Sequence, residues 1–309
     1  MGRHHIGDDA VRLDRVRPAA LALFIATLPT LFACDNPDAR QPDTDAAHAT
    51  RIVTLAPNLA ELVFAAGAGD TLVGVSAYSD FPPAVAALPL VGDAFTIDQE
   101  RLALLRPDLL LAWQSGTPAH VVDELRQAGY RVEVIRTRSL ADISTTLVRI
   151  GELAGTQPEG HEVAEDFTAA LQDLGDRHRD AEPIRVFYQV SRRPLYTVGP
   201  DHYASELITL CGGRNVFADV DELAPGIDVE AVVDRDPEVM LAGDDAGSDA
   251  FSEWDRWSSI AANRYGNRFL LPADELSRPT PRVLVAGAAI CEALQTARKR
   301  RSEHVNGTR

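Results

Sequence analysis

The chain has 309 residues, 45% hydrophobic and 25% charged. At about 150 residues per domain that is room for two domains, with a core large enough to need no staples, and the composition excludes fibrous and wholly disordered classes. The formal charge of −16, from 30 basic and 46 acidic residues, makes the body a poor partner for DNA, RNA or anionic lipid headgroups.

Lys299 is the single lysine, and three cysteines, Cys34, Cys211 and Cys291, are too few for a disulfide scaffold and badly spaced for zinc. At the N-terminus, Arg12, Arg15 and Arg17 precede an apolar run from Ala19 to Ala33. The run is short of the roughly 20 residues that span a bilayer but fits the h-region of a secretory signal. Its end, Leu31-Phe32-Ala33-Cys34, resembles a bacterial lipobox, which implies a signal peptide over residues 1–33 and a lipid on Cys34. The alternative is ordinary cleavage near Ala33 that leaves a free thiol. Asp35, by resemblance to enterobacterial lipoproteins, implies retention at the inner membrane. Residues 34–50 hold no large apolar side chain and read as a disordered tether.

From Arg51 the pattern is α/β. Apolar runs at Ile52–Leu55, Leu72–Val75, Leu109–Ala112 and Val132–Ile135 alternate with helical stretches at Leu59–Ala66, Asp98–Leu105, Pro118–Ala128 and Leu140–Leu153. Gly67 and Gly129 stand where helices should stop. Such alternation predicts a mostly parallel sheet covered on both faces. An uninterrupted periodic segment from Pro158 to about Arg179 then predicts a helix of roughly 30 Å, better suited to a strut between lobes than to a crossover within one.

A second α/β block follows. Strands are expected at Ile184–Tyr188, Glu238–Ala242 and Arg268–Leu271, and helices at Tyr203–Cys211, Val229–Val233 and Val283–Arg298. The halves echo each other: Glu100…Arg106-Pro107-Asp108 in one matches Glu230…Asp236-Pro237-Glu238 in the other. The expected division is a lobe over 51–157, an interlobe helix over 158–180, a lobe over 181–300 and a disordered tail over 301–309. Two similar lobes on a strut leave a cleft between them.

No nucleophile elbow, Walker loop, His-Glu-x-x-His or dinucleotide fingerprint occurs, and Gly67-Ala68-Gly69 follows a helix instead of opening one. His161 and His178 fall on the strut, and His120 and His202 in separate halves, so no convergent imidazole set for a metal is visible. Nothing argues for catalysis, a resident cofactor or a metal.

Several strings carry a resemblance: Thr54-Leu55-Ala56-Pro57-Asn58, Glu61–Gly67, Tyr78-Ser79-Asp80-Phe81-Pro82-Pro83, Leu109–Trp113, Cys211-Gly212-Gly213 with Asn215 and Phe217, and Arg278…Pro281-Arg282…Cys291. Over residues 51–297 the chain resembles the helical-backbone (class III) periplasmic substrate-binding proteins that feed ABC importers, in particular their cobalamin-binding branch. The resemblance implies two Rossmann-like lobes joined by a long rigid helix, a monomer, a corrinoid ligand and a permease dimer as partner. It implies a ligand site at Ala56, Pro57, Asn58, Tyr78, Phe95, Trp113, Tyr196, Asp274 and Arg278. A corrin is a broad apolar disc fringed by amides, which suits flat aromatic faces plus a few placed polar groups.

Read from the residues alone, a tryptophan at a strand end such as Trp113 is more often core than ligand, and Asp274 and Arg278 at i, i+4 can simply pair with each other. The chain departs from the family at Ala94 and Ala224, where tryptophans are expected; Phe95 is a possible substitute for the first. Glu100 and Glu230 match the exposed glutamates that top each lobe and dock on permease arginines, and Cys211 and Cys291 match a disulfide pair. Two alternatives stay open. One is a ferric siderophore or haem ligand in the same class, favoured by Arg192, Arg193 and Arg278. The other is a cofactor-modifying enzyme on a nitrogenase-like two-lobe architecture.

Overall fold

The computed structural model describes residues 48–307. The expected signal segment, Cys34 and the expected tether up to residue 47 lie outside the described residues. Strands β1 (Ile52–Thr54), β2 (Leu72–Val75), β3 (Leu109–Trp113) and β4 (Val132–Ile135) form a parallel sheet in the order β2-β1-β3-β4. Helices α1 (Pro57–Ala65), α2 (Gln99–Leu105) and α3 (Ala119–Gln127) make the crossovers, and α4 (Leu140–Ala154) closes the lobe. Burial alternates along the strands between two separate cores. Ile52, Leu109 and Leu111 face one; Val53, Leu110 and Ala112 face the other. That is why these strands read as continuous apolar runs and not as alternating ones.

Helix α5 (Gln157–His178) is the strut. It starts against α4, where two glycines let the backbones touch: a Cβ on Gly160 would meet the Leu147 carbonyl oxygen at 2.8 Å, and one on Gly151 the Thr156 oxygen at 2.8 Å. Its apolar stripe, Ala164, Phe167 and Leu174, belongs to one core that continues from the first lobe into the second, all within a single compact unit.

The second lobe has β5 (Ile184–Gln189), a hairpin of β6 (Ser191–Arg192) and β7 (Leu195–Tyr196), α6 (Tyr203–Leu210), β8 (Gly213–Asn215), α7 (Val229–Arg235) and β9 (Val239–Gly243). It ends with α8 (Ala261–Tyr265), β10 (Arg268–Leu271), α9 (Ala273–Ser277) and α10 (Val283–Gly307). Its parallel sheet runs β10-β9-β5-β8. In chain order this is the topology of the first lobe: first strand inside, second at its flank, third and fourth beyond.

The duplication reaches individual side chains. Asp98 caps α2 by accepting the Arg101 N–H, and Asp228 caps α7 by accepting the Ala231 N–H; Arg106 and Asp236 end the two helices in the left-handed conformation. Asp108 then accepts the Arg51 N–H at 3.1 Å, as Glu238 accepts that of Arg185 at 3.0 Å.

Two boundaries differ from expectation. Ala49 and Thr50, expected within the disordered tether over 34–50, are fixed to the first lobe: the Ala49 N–H donates to the Leu153 oxygen at 2.7 Å and the Thr50 N–H to Asp108 Oδ2 at 2.9 Å, and Ala49 is buried in the core. Residues 301–307, expected as a disordered tail, continue α10. Their charge reads as solvated, but Arg301 pairs with Glu238 and Glu182, and the Arg300 guanidinium lies over the Phe269 ring. Tertiary partners hold the last turns. Among the described residues no helix is long and apolar enough to cross a membrane.

Candidate functional site

In open α/β sheets ligands settle outside the carboxyl ends of the strands, and both cleft cavities lie there. The first, about 370 Å³, is a cup on the first lobe. Its wall comprises Ala56 and Pro57 after β1, Ser76, Ala77 and Tyr78 after β2, Asp93, Ala94 and Phe95, and Trp113 at the end of β3. Pro57 opens α1 at its first turn, where a missing N–H is harmless, and Ala56 supplies no capping side chain. Tyr78 sits at φ 66°, a conformation that lifts its ring away from the lobe and leaves it 81% exposed. Phe95, 72% exposed, is set by Asp93, whose carboxylate accepts the N–H groups of Phe95 and Thr96 at 2.8 Å. Two large aromatic faces therefore stand open beside the cup.

Trp113 is shared with the second cavity, about 260 Å³, which both lobes line. The indole Nε1 donates to Thr137 Oγ1 at 2.9 Å, fixing the ring. From the second lobe come Tyr188, His202, Tyr203, Ala224 and Leu276. Tyr203 donates its hydroxyl to the Leu276 oxygen at 2.7 Å. Burial raises the pKa of both Tyr188 and Tyr203 well above the ordinary phenol value, so both stay neutral. Ala94 lines one cavity and Ala224 the other, so where tryptophans were expected this chain has open space.

The floor between the lobes is bonded twice. On one side the Tyr203 N–H donates to the Arg138 oxygen at 2.7 Å, and the Leu140 N–H donates to Glu206 Oε2 at 2.9 Å. Burial raises the Glu206 pKa, opposed by that Leu140 N–H and reinforced by Asp142 and Asp201. On the other side Glu61 of α1 binds Arg278, Thr280 and Arg282 of the second lobe.

Not every expected residue lines a cavity. Arg278 and Asp274 line neither: Arg278, 13% exposed, is engaged with Glu61, Asp80 and Asp274. Burial alone lowers its pKa, but hydrogen bonds to Asp80 and Glu61 overcome this and raise it. The same hydrogen bond is the leading cause that lowers Asp80. Arg278 also reaches the Tyr78 oxygen at 3.4 Å, and Arg282 lies 4.1 Å over the Phe81 ring. Both arginines thus brace the 78–82 loop from below. Asn58 is buried behind the cup, with no hydrogen-bond partner for Nδ2. Tyr196 lies on β7 and packs over Gly226, outside both cavities. Arg192 and Arg193, the other cations that favour an anionic ligand, pair with Asp249 and Glu253.

Sequence reading missed the second cavity's polar wall, Thr137, Tyr188, His202 and Tyr203. No spacing signal could have gathered the loop after β4, the end of β5 and the start of α6 from two lobes.

Glu100 and Glu230 occupy the same exposed position in the first turn of α2 and α7. Cys211, which ends α6, is disulfide-bonded to Cys291 of α10 across a sequence separation of 80.

Residues 52–275 match the family model described as periplasmic binding protein. The chain is 37% identical over 252 residues to the vitamin B12-binding protein of Vibrio cholerae serotype O1, covering 81% of this chain and 91% of that one. It is 33% identical over 247 residues to the protein of the same name from Yersinia pestis, covering 80% and 86%. Among solved structures it is similar to the periplasmic vitamin B12 binding protein BtuF of Vibrio cholerae, with a TM-score of 0.73, 36% identity and coverage of 81% and 98%. The periplasmic haem-binding protein BhuT shares the fold at a TM-score of 0.71 and 23% identity, covering 81% and 99%.

Proposed function

The chain belongs to the periplasmic binding protein family, and from that premise we propose that it captures cobalamin or a related corrinoid between its lobes and delivers it to an ABC importer. The observation that carries the ligand is the identity, 37% over 252 residues, to a vitamin B12-binding protein. The site agrees with it chemically. A cup rimmed by Tyr78 and Phe95 and floored by Trp113 offers flat apolar faces to a corrin, while the deeper cavity offers placed donors and acceptors to its amide fringe.

The mechanism is binding and release, with no bond made or broken. Ala56, Pro57, Tyr78, Phe95 and Trp113 contact the ring; Asn58, Tyr196, Asp274 and Arg278 support or extend the site from behind and beside it. The strut and the bonds across the floor restrict lobe motion, so closure on the ligand is small. Glu100 and Glu230, one on each lobe, dock on arginines of the permease dimer and set register as well as attraction. The protein acts as a monomer, held at the inner membrane by lipid on Cys34, with the segment from residue 35 up to the fixed Ala49 as tether.

The test is titration calorimetry of the purified protein with cyanocobalamin and, in parallel, cobinamide, haemin and a hydroxamate siderophore. Heat with a corrinoid and none with the other two is expected. No heat with either corrinoid overturns the ligand and leaves the family standing.

A further inference from the structure

Among the cleft residues, His202 has a role that its ring geometry defines. It is the N-cap of α6, and its Nδ1 accepts the Ala204 N–H at 3.1 Å, doing the work usually given to a Ser or Asp oxygen. A nitrogen that accepts carries no hydrogen, so the neutral imidazole bears its proton on Nε2. The ring is neutral because burial depresses its pKa to about 4. It stacks on Tyr203 with centroids 4.3 Å apart and lines the interlobe cavity, and no described residue is hydrogen-bonded to Nε2. Two neighbouring polar groups are engaged inside the protein: Thr137 Oγ1 accepts from Trp113, and the Tyr203 hydroxyl donates to Leu276.

We propose that His202 is a ligand-contacting residue that donates its Nε2–H to an amide carbonyl on the ligand's rim, and that the α6 backbone locks it in this tautomer. The proposal rests on the corrinoid reading and narrows it. To bind a haem iron, Nε2 needs a free lone pair, so the proton must move to Nδ1. There it would face the Ala204 N–H, donor against donor, and α6 would lose its cap. The arrangement therefore selects an amide-fringed ring over one that requires an axial imidazole.

Two measurements test it. His202→Ser keeps a capping oxygen for Ala204 but removes the donor; cyanocobalamin affinity by calorimetry should fall about tenfold, with melting temperature and circular dichroism near wild type. Binding equal to wild type overturns the role of His202. The second uses wild type only. The ¹⁵N imidazole spectrum should show the Nε2–H tautomer, with that resonance shifted on adding cyanocobalamin; an Nδ1–H tautomer or an unshifted resonance overturns the proposal. If wild type binds no corrinoid at all, the ligand reading itself falls and takes the amide acceptor with it. A haemin adduct of wild type with an imidazole–iron Soret band, lost in His202→Ser, would overturn the tautomer lock.

Discussion

Arg278 Nη1 of the second lobe lies 3.1 Å from Glu61 Oε1 on α1 of the first, with Glu61 only 4% exposed. Glu61 also accepts from Arg282 Nη1 at 3.1 Å and Thr280 Oγ1 at 3.0 Å, so one buried carboxylate gathers three donors from the opposite lobe. The same arginines reach the Tyr78 carbonyl and the Phe81 ring. This junction joins the lobes and sets the platform that rims the cup.

Removing the carboxylate charge leaves both guanidiniums short of a partner inside the junction. Glu61→Gln should cost about 3 kcal/mol of stability, the scale of breaking one side of a buried pair. Hydrogen exchange should rise at residues 77–82 before it rises in the sheets. Unchanged melting and exchange would show that Asp80, Asp274 and Glu275 hold the arginines without it.

Acid should weaken the fold in two windows. His202 has its pKa lowered from 6.5 to about 4 by burial, so between those values the unfolded chain binds a proton that the folded chain refuses. Its contribution is complete above about pH 6.5, declines as pH falls to about 4 and is constant below, amounting to up to about 3 kcal/mol. Asp80, lowered chiefly by its hydrogen bond to Arg278, contributes above the ordinary carboxylate value and loses that contribution as pH falls through its depressed one. Denaturant midpoints of wild type and His202→Asn should diverge with pH between 4 and 6.5. Parallel curves would remove the His202 contribution.

Ala94 lines the cup at a position where a tryptophan was expected. An indole there adds a third aromatic plate beside Phe95 and Tyr78. Ala94→Trp should tighten cyanocobalamin binding about fivefold, the worth of one aromatic contact. Weaker binding would mean that this chain uses the space for a differently shaped ring.

Arginine at Glu100 and Glu230 together should abolish uptake in a reconstituted importer while leaving ligand affinity unchanged, because both lie on exposed first turns outside the two cavities. Uptake at the wild-type rate removes their docking role.

The Cys211–Cys291 bond closes a separation of 80 residues and ties the end of α6 to the middle of α10. Replacing both cysteines with alanine should cost about 4 kcal/mol on the loop-entropy account, read as a lower melting temperature with ligand affinity largely kept. A matching loss of affinity would instead place the bond in support of the cavity wall, through α6 and His202.

The central strands β1, β3, β5 and β9 were legible as short apolar runs because both of their faces are largely buried, and that requirement is written in consecutive residues. The strut was legible from its uninterrupted period, and the lobe duplication from Glu100…Asp108 and Glu230…Glu238, since caps and strand starts are local chemistry. Strand β8 was not, because Gly-Arg-Asn has no strand character of its own and pairs only because β5 offers an edge. The last turns of α10 likewise depend on Glu238 and Phe269, far away in sequence.

The same division holds for the site. The sequence by itself determined the lobes, the strut, the aromatic rim and the family, all set by neighbours within a few positions or by whole strings of residues. Only the tertiary structure decided that Arg278 braces the lobes and lines neither cavity, and that His202 and Trp113 line one cavity from opposite lobes. Charges are settled by whichever partners the fold brings within hydrogen-bond reach, and those of Arg278 include Glu61, 217 positions away, and Tyr78, 200 away.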